Sequence, residues 1–293
     1  MKNILLTGGS GFIGKNILES PLASRYEITA PARAELDLTD TGSVDAFFHG
    51  KSFDCVLHAG VKPGHRNAPD HSRLLYSNLR MFENLERHRD HYGRFLNFGS
   101  GAIYGTAGDI SGATEADIFT RIPEDEHGFC KHIVGKRIEQ LPGFIDLVIF
   151  GIFGRYEDFE IRFISNAICK AIHGLPITLR QNRRFSYIDV ADLMPVLEFF
   201  IEGEPRHRFY NIVGSRHLEL ARIAEIVRET AGAKAEVQIQ TPGYGKDYYG
   251  SNARLLAEHA LRETPIEESI ARLYRHYYDN RNRIDPTLLA ADK

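Results

Sequence analysis

The chain opens on a short apolar run, Ile4-Leu5-Leu6, that stops in Gly8-Gly9-Ser10-Gly11-Phe12-Ile13-Gly14. Glycine at 8, 11 and 14 sits after a strand candidate and at the start of Phe12 to Leu18, which has helical spacing. Glycines there permit a tight turn, let the backbone approach a pyrophosphate, and let helix and strand pack closely. The helix N-terminus then faces the phosphates with free N–H groups and a partial positive charge. A plain glycine-rich turn is the bland alternative. With strand and helix in place the spacing points to a dinucleotide site, with Gly8, Gly11, Phe12, Ile13 and Gly14 against the cofactor.

The rest of the chain repeats that rhythm. Tyr26 to Thr29, Cys55 to Leu57, Phe95 to Phe98 and Leu147 to Phe150 read as strands. Val44 to Phe48, Leu74 to His91 and His127 to Leu141 read as the helices between them. Alternation of this kind predicts an α/β fold, a doubly wound parallel sheet with helices on both faces. After about residue 155 it loosens into a helix from Phe159 to His173, a strand at Phe209-Tyr210-Asn211-Ile212 and a helix from Leu218 to Thr230. We therefore expect a Rossmann-type domain over 1–154, with a returning segment near 184–200, and a smaller mixed α/β lobe over 155–293. The charged tail from Asp279 to Lys293 carries no reading.

Composition excludes several classes. Lys plus Arg number 36 against 39 Asp plus Glu, a formal charge of −3, which gives no electrostatic footprint for nucleic acid or an anionic membrane. No apolar run approaches the roughly 20 residues that span a bilayer. Met1 to Thr7 reaches Gly8 too soon to be the apolar region of a signal peptide. Cys55, Cys130 and Cys169 are odd in number and far apart, which predicts a reducing, cytoplasmic setting. His88 and His91 are an i,i+3 pair without a carboxylate partner set in register, so no metal site is expected.

The second strand candidate runs into Ala30-Pro31-Ala32-Arg33, with Arg33 nineteen residues beyond Gly14. An acid at that tip would bind a ribose 2′-hydroxyl, while an Arg suits a 2′-phosphate. Arg33 favours NADP over NAD, because its fork matches phosphate; a solvated surface arginine is the other reading, and Glu35 and Asp37 follow closely.

The opening TGGSGFIG resembles the extended short-chain dehydrogenase/reductase family of nucleotide-sugar epimerases, dehydratases and ketoreductases. The resemblance covers residues 2 to about 275. Leu36-Asp37-Leu38-Thr39-Asp40 resembles the segment whose Asp-hydrophobic pair, here Asp37 and Leu38, touches adenine. His58-Ala59-Gly60 falls at the family's small-residue turn, which implies cofactor contacts for Ala59 and Gly60. Asn78 sits where the family commonly carries Asn. Phe98 to Gly105 is similar to the motif that places a Ser or Thr, here Ser100, four residues before Tyr-Gly. Arg184-Phe185-Ser186-Tyr187-Ile188-Asp189-Val190-Ala191-Asp192 is similar to its Arg-x-aromatic-x-x-Val-x-Asp segment, and Phe209 to Ile212 to its Tyr-Asn-Ile strand. The resemblance implies a nucleotide-sugar substrate, whose diphosphate would fall to Arg184, with the adjacent Arg183 also able to bind such a dianion, and whose sugar end would fall to Arg162. It also implies a homodimer through the helices near 74–91 and 127–141.

The family joins Ser or Thr to Tyr-x-x-x-Lys on a helix, where i to i+4 spacing puts both side chains on one face. Downstream of Ser100 stands His127-Gly128-Phe129-Cys130-Lys131. Lys131 matches the lysine, which would also hold the cofactor ribose; the tyrosine position holds His127. Three readings follow: His127 is the acid/base, the protein binds cofactor and ligand with little or no turnover, or another group such as Tyr104 or a water carries the proton. Imidazole titrates nearer neutrality than phenol but is shorter by one or two bonds of roughly 1.4 Å. Gly101-Ala102 stands where the family's 4,6-dehydratases carry an Asp-Glu pair, and Ala102 where its fucose-synthase-type reductases carry a Cys. That leaves hydride and proton transfer alone. The expectation is an NADP-dependent reductase of a nucleotide-activated 4-keto-6-deoxysugar. An NAD-dependent 4-epimerase and a catalytically impaired nucleotide-binding protein are the alternatives.

Overall fold

A strand covered on both faces needs apolar side chains at successive positions, and Ile4, Leu5 and Leu6 are all fully buried. Alternation sends them to opposite sides. Leu5 joins Val56, Phe95 and Val148 on one face; Ile4 and Leu6 join Leu57, Leu96 and Leu147 on the other. The computed structural model describes residues 1–65, 67–232 and 235–290. Its main sheet has six strands in the spatial order Phe209–Ile212, Phe144–Ile149, Tyr92–Phe98, Phe53–His58, Asn3–Thr7 and Glu27–Thr29, all parallel. Helices Thr41–Phe48, Leu74–Glu86 and Glu126–Ile138 cover the first face through Phe48, Phe82, Leu85, Val134 and Ile138. Phe12–Leu18 and Leu193–Glu202 cover the second through Ile17, Leu197 and Phe200. This is the doubly wound Rossmann arrangement the sequence predicts.

The second strand lies on one side of Asn3–Thr7 and the third on the other, so the winding reverses there. Reversal opens a crevice outside the carboxyl ends of the strands, where ligands of such sheets bind.

The second lobe packs helices Phe163–Ile172, Leu220–Thr230 and Ile266–Asp279 around Ile168, Ile223, Val227 and Ile270. A mixed sheet in the order His217–Glu219, Arg184–Asp189, Tyr248–Gly250, Ile110–Ala113 joins it to the first domain, and Gly151–Phe153 pairs with Arg184–Asp189. Among the described residues no helix is long and apolar enough to cross a membrane.

Three local expectations change. Phe209–Ile212, read as a strand of the smaller lobe, is the edge strand of the main sheet, paired with Phe144–Ile149. The helix expected from Phe159 begins at Phe163, because Asp158 turns the chain first: its carbonyl accepts from the Ile161 and Arg162 N–H groups and its carboxylate from Glu160. The helix expected through His91 ends at Glu86, and Arg89–His91 forms a 3-10 turn. There His88 stacks on Phe48 and bonds Asp45 at 2.8 Å. Residues 291–293 of the charged tail lie outside the described residues.

Candidate active site

One cavity of about 770 Å³ lies at the crevice, lined by both lobes. Gly8, Gly11, Phe12, Ile13 and Gly14 form one wall. A Cβ on Gly14 would lie 2.7 Å from Gly9 Cα and closer still to the Gly8 carbonyl, so only glycine lets this helix approach the strand. Gly8 has φ +73°, and a Cβ there would meet the Ala59 carbonyl carbon at 2.7 Å. The turn at Ala59 and Gly60 is fixed by Thr7, whose Oγ1 accepts from the Gly60 N–H at 3.2 Å and contacts His58 Nδ1 at 2.8 Å. Asn78 joins this loop to its helix, accepting from the Lys62 N–H at 2.8 Å and donating to the Lys62 and Leu74 carbonyls. The bare backbone and close approach fit a dinucleotide pyrophosphate.

Three of the predicted cofactor residues, Arg33, Asp37 and Leu38, lie outside the cavity lining. Arg33 is outside the cavity lining, with a side chain 81% exposed and its guanidinium 3.2 Å from Asp37. Asp37 also accepts from Thr39. Leu38 is buried beneath the turn, and a Cβ on Gly60 would lie 3.3 Å from it.

The three residues read from the sequence as catalytic come together: Ser100, His127 and Lys131 all line the cavity. Ser100 caps the 3-10 turn Gly101–Tyr104, its Oγ accepting from the Ala102 N–H at 3.2 Å. Asp125 caps the helix Glu126–Ile138 through the Gly128 N–H at 2.7 Å. A Cβ on Gly128 would lie 2.6 Å from the Ala102 carbonyl, so its absence lets the His127 turn close on Ser100. Lys131 donates to the Phe98 carbonyl at 3.1 Å. Below it, buried Asp146 accepts from Asn97 at 2.7 Å. Burial pushes Asp146 up to about 6 while Lys131 and Asn97 pull it back.

Burial pulls the His127 imidazole down to about 4; Lys131 and Arg162 add to that and Asp125 opposes. A protonated imidazole with this affinity is about one molecule in a thousand at pH 7. His127 is therefore a neutral group at the tyrosine's register. Tyr104, weighed as another proton carrier, is turned away: its buried hydroxyl donates to Asn211 Oδ1 at 2.7 Å.

Arg162 lines the same cavity, close enough for its charge to act on His127, but Arg184 is not among the lining residues. It faces Asp247, with Nε donating to Oδ2 at 2.8 Å. The arginine on the cavity is Arg183, over the Phe185 ring at 5.4 Å. Adjacent residues of an extended segment face opposite ways, and an Arg two residues before the aromatic Phe185 is Arg183. Sequence reading also passed over Tyr248 and Glu157, both on the cavity. Glu157 is buried beside Ser165, and neither residue stands in a recognisable local motif.

The site is thus a Rossmann crevice with a glycine cradle and with Ser100, His127 and Lys131 on one lining. A model of the NAD dependent epimerase/dehydratase family matches residues 4–213, and the chain belongs to that family. It is 28% identical over 187 residues to the GDP-L-fucose synthase of Azorhizobium caulinodans, covering 59% of each chain. It is 34% identical over 121 residues to the GDP-L-colitose synthase of Yersinia pseudotuberculosis, covering 40% of this chain and 39% of that one. The chain thus spans well under two thirds of either relative. In fold it matches a GDP-mannoheptose C4 reductase from Campylobacter jejuni with NADP bound, at a TM-score of 0.79 and 18% identity, covering 94% and 98% of the two chains.

Proposed function

We propose that this protein reduces the C4 ketone of a nucleotide-activated 4-keto-6-deoxysugar with NADPH. The observation that carries the reading is one cavity whose lining brings together the dinucleotide cradle, Ser100, His127 and Lys131, and the two arginines Arg162 and Arg183. A bound nicotinamide supplies the hydride. Lys131 holds its ribose, Ser100 orients the ketone by hydrogen bond, His127 faces it as a neutral imidazole, and Arg183 with Arg162 takes the diphosphate and sugar. Arg33 supports NADP: although its guanidinium meets Asp37 at 3.2 Å, its side chain is 81% exposed and keeps further N–H groups for a 2′-phosphate. Gly101 and Ala102 support simple reduction, because neither offers a carboxylate or thiol to a second proton transfer. Buried free thiols at Cys55, Cys130 and Cys169 support a reducing, cytoplasmic setting. Helices Leu74–Glu86 and Glu126–Ile138 pack together, and Tyr76 on the first of them is 59% exposed, which supports a homodimer through these helices.

The test is turnover of GDP-, dTDP- and UDP-linked 4-keto-6-deoxysugars with NADPH and NADH, followed by cofactor absorbance. We expect oxidation of NADPH in preference to NADH. Replacing Arg33 by Ser should weaken NADPH about 10–100-fold, the loss of charge-assisted hydrogen bonds of about 1.5–3 kcal/mol, and leave NADH unchanged. Epimerised product without net cofactor oxidation would place the chain among the epimerases; cofactor binding without turnover by wild type, restored in His127→Tyr, would mark an impaired enzyme.

A further inference from the structure

Reduction at neutral pH needs a proton donor, and His127 is almost wholly unprotonated there. The opposite wall of the cavity carries a phenol. Tyr248 begins the strand Tyr248–Gly250, which pairs with Ile110–Ala113 and, at Phe185, with Arg184–Asp189. Its ring is held between Phe150, with centroids 5.2 Å apart, and Phe185, at 4.8 Å. That packing aims the hydroxyl across the cleft at the first domain. A Cβ on Gly101 would lie only 2.5 Å from Tyr248 Oη, so the hydroxyl rests on the backbone next to Ser100. Ser100 hydrogen-bonds it, and both residues line the cavity with His127 and Lys131. A ketone oxygen oriented by Ser100 therefore lies within reach of the Tyr248 hydroxyl.

We propose that Tyr248, contributed by the second lobe, is the proton donor of the reduction. The proposal rests on the reductase reading above. As the ketone carbon receives the hydride, the carbonyl π pair moves to oxygen, the Tyr248 O–H bond breaks and a new O–H bond forms on the sugar. Water then returns a proton to the phenolate, so the reaction consumes one hydride and one proton and leaves an alcohol. Burial raises the phenol above its ordinary range, while Ser100, Arg183 and Arg162 draw it back. It is thus fully protonated at pH 7 and still acidic enough to donate to an alkoxide. His127 lies across the site as a neutral hydrogen-bonding neighbour.

The experiment compares wild type, Tyr248→Phe and Gly101→Ala in the full chain. Tyr248→Phe should lower kcat by about 100-fold or more, the size of a lost general acid, with NADPH affinity held within about threefold. Gly101→Ala keeps the phenol but pushes its hydroxyl aside, and should lower kcat about 10–100-fold. A Tyr248→Phe enzyme with kcat within threefold of wild type, beside a wild type that turns over, overturns the proposal. Should wild type reduce no keto-sugar, the reductase reading fails first and the proton donor falls with it.

Discussion

Replacing Glu157 by Gln should stabilise this protein at alkaline pH and leave it almost unchanged at acid pH. The carboxyl is 6% exposed and accepts from Ser165, whose oxygen accepts from the Tyr277 hydroxyl at 3.0 Å. Burial pushes Glu157 up to about 8; Ser165, Arg162 and the Gly154 N–H oppose this and Asp158 adds to it. A carboxyl raised on folding binds more protons in the native than in the unfolded chain between its two values. Its contribution to stability is full below the unfolded value of 4.5 and declines as pH rises through about 8. At about 1.4 kcal/mol per pH unit the decline between pH 5 and 7.5 is at most about 3 kcal/mol. Water and side-chain relaxation in an open cavity leave roughly 2 kcal/mol of this. An amide keeps the shape and the Ser165 hydrogen bond without the ionisation. At pH 8 the variant should therefore melt about 4 °C or more above wild type, at roughly 2 °C per kcal/mol for a chain of this length. Thermal and urea unfolding of both proteins at pH 5, 6.5 and 8 reads the effect. Equal gains at all three values would refute the linkage, and a loss at pH 8 would mean that a carboxylate paired with Arg162 stabilises the fold.

Gly14→Ala forces a Cβ against the Gly9 Cα and the Gly8 carbonyl; fluorescence titration should show NADPH binding weakened about 10–100-fold, and melting a loss of about 1–3 kcal/mol. The two neighbouring arginines should separate cleanly. Arg183→Ala should raise the sugar-nucleotide KM about 10–100-fold with unchanged melting, whereas Arg184→Ala strands the buried Asp247 carboxylate and should cost about 1–3 kcal/mol of stability with KM nearly intact.

The parts of the site written in local patterns were readable from the chain. A glycine turn, an apolar strand and an i to i+4 pair each depend on neighbours a few residues away, and Gly8 to Gly14, Ser100 and Lys131 all reach the cavity. What depended on pairing was not readable. Which of two adjacent arginines faces the cleft is set by how the segment entering Arg184–Asp189 meets its neighbour strands; the one local clue is spacing, since Arg183 and not Arg184 stands two residues before Phe185. Chain order likewise conceals sheet order: Phe209–Ile212 follows the second-lobe helix Phe163–Ile172 yet returns to edge the main sheet. Tyr248 and Glu157 acquire their settings only from contacts across more than a hundred residues or from burial, and a Tyr-Tyr pair or a Glu in a loop carries no signal of either.

The position at 127 shows how these two kinds of information combine. Helix register puts residue 127 one turn from Lys131 whatever the side chain, so a motif scan finds the place and cannot judge its chemistry. The imidazole there is shorter than a phenol by about 1.4–2.8 Å and is neutral because it is buried beside Lys131 and Arg162. Both differences weaken it as the sole acid of the site. A phenol does meet Ser100, but from the other lobe, held by Phe150 of the first domain and Phe185 of the second. If that phenol is the acid, the site is whole only while the lobes are docked. Loosening the aromatic stack, as Phe185→Ala would, should then lower kcat while cofactor affinity, which depends on the glycine cradle, stays as it is.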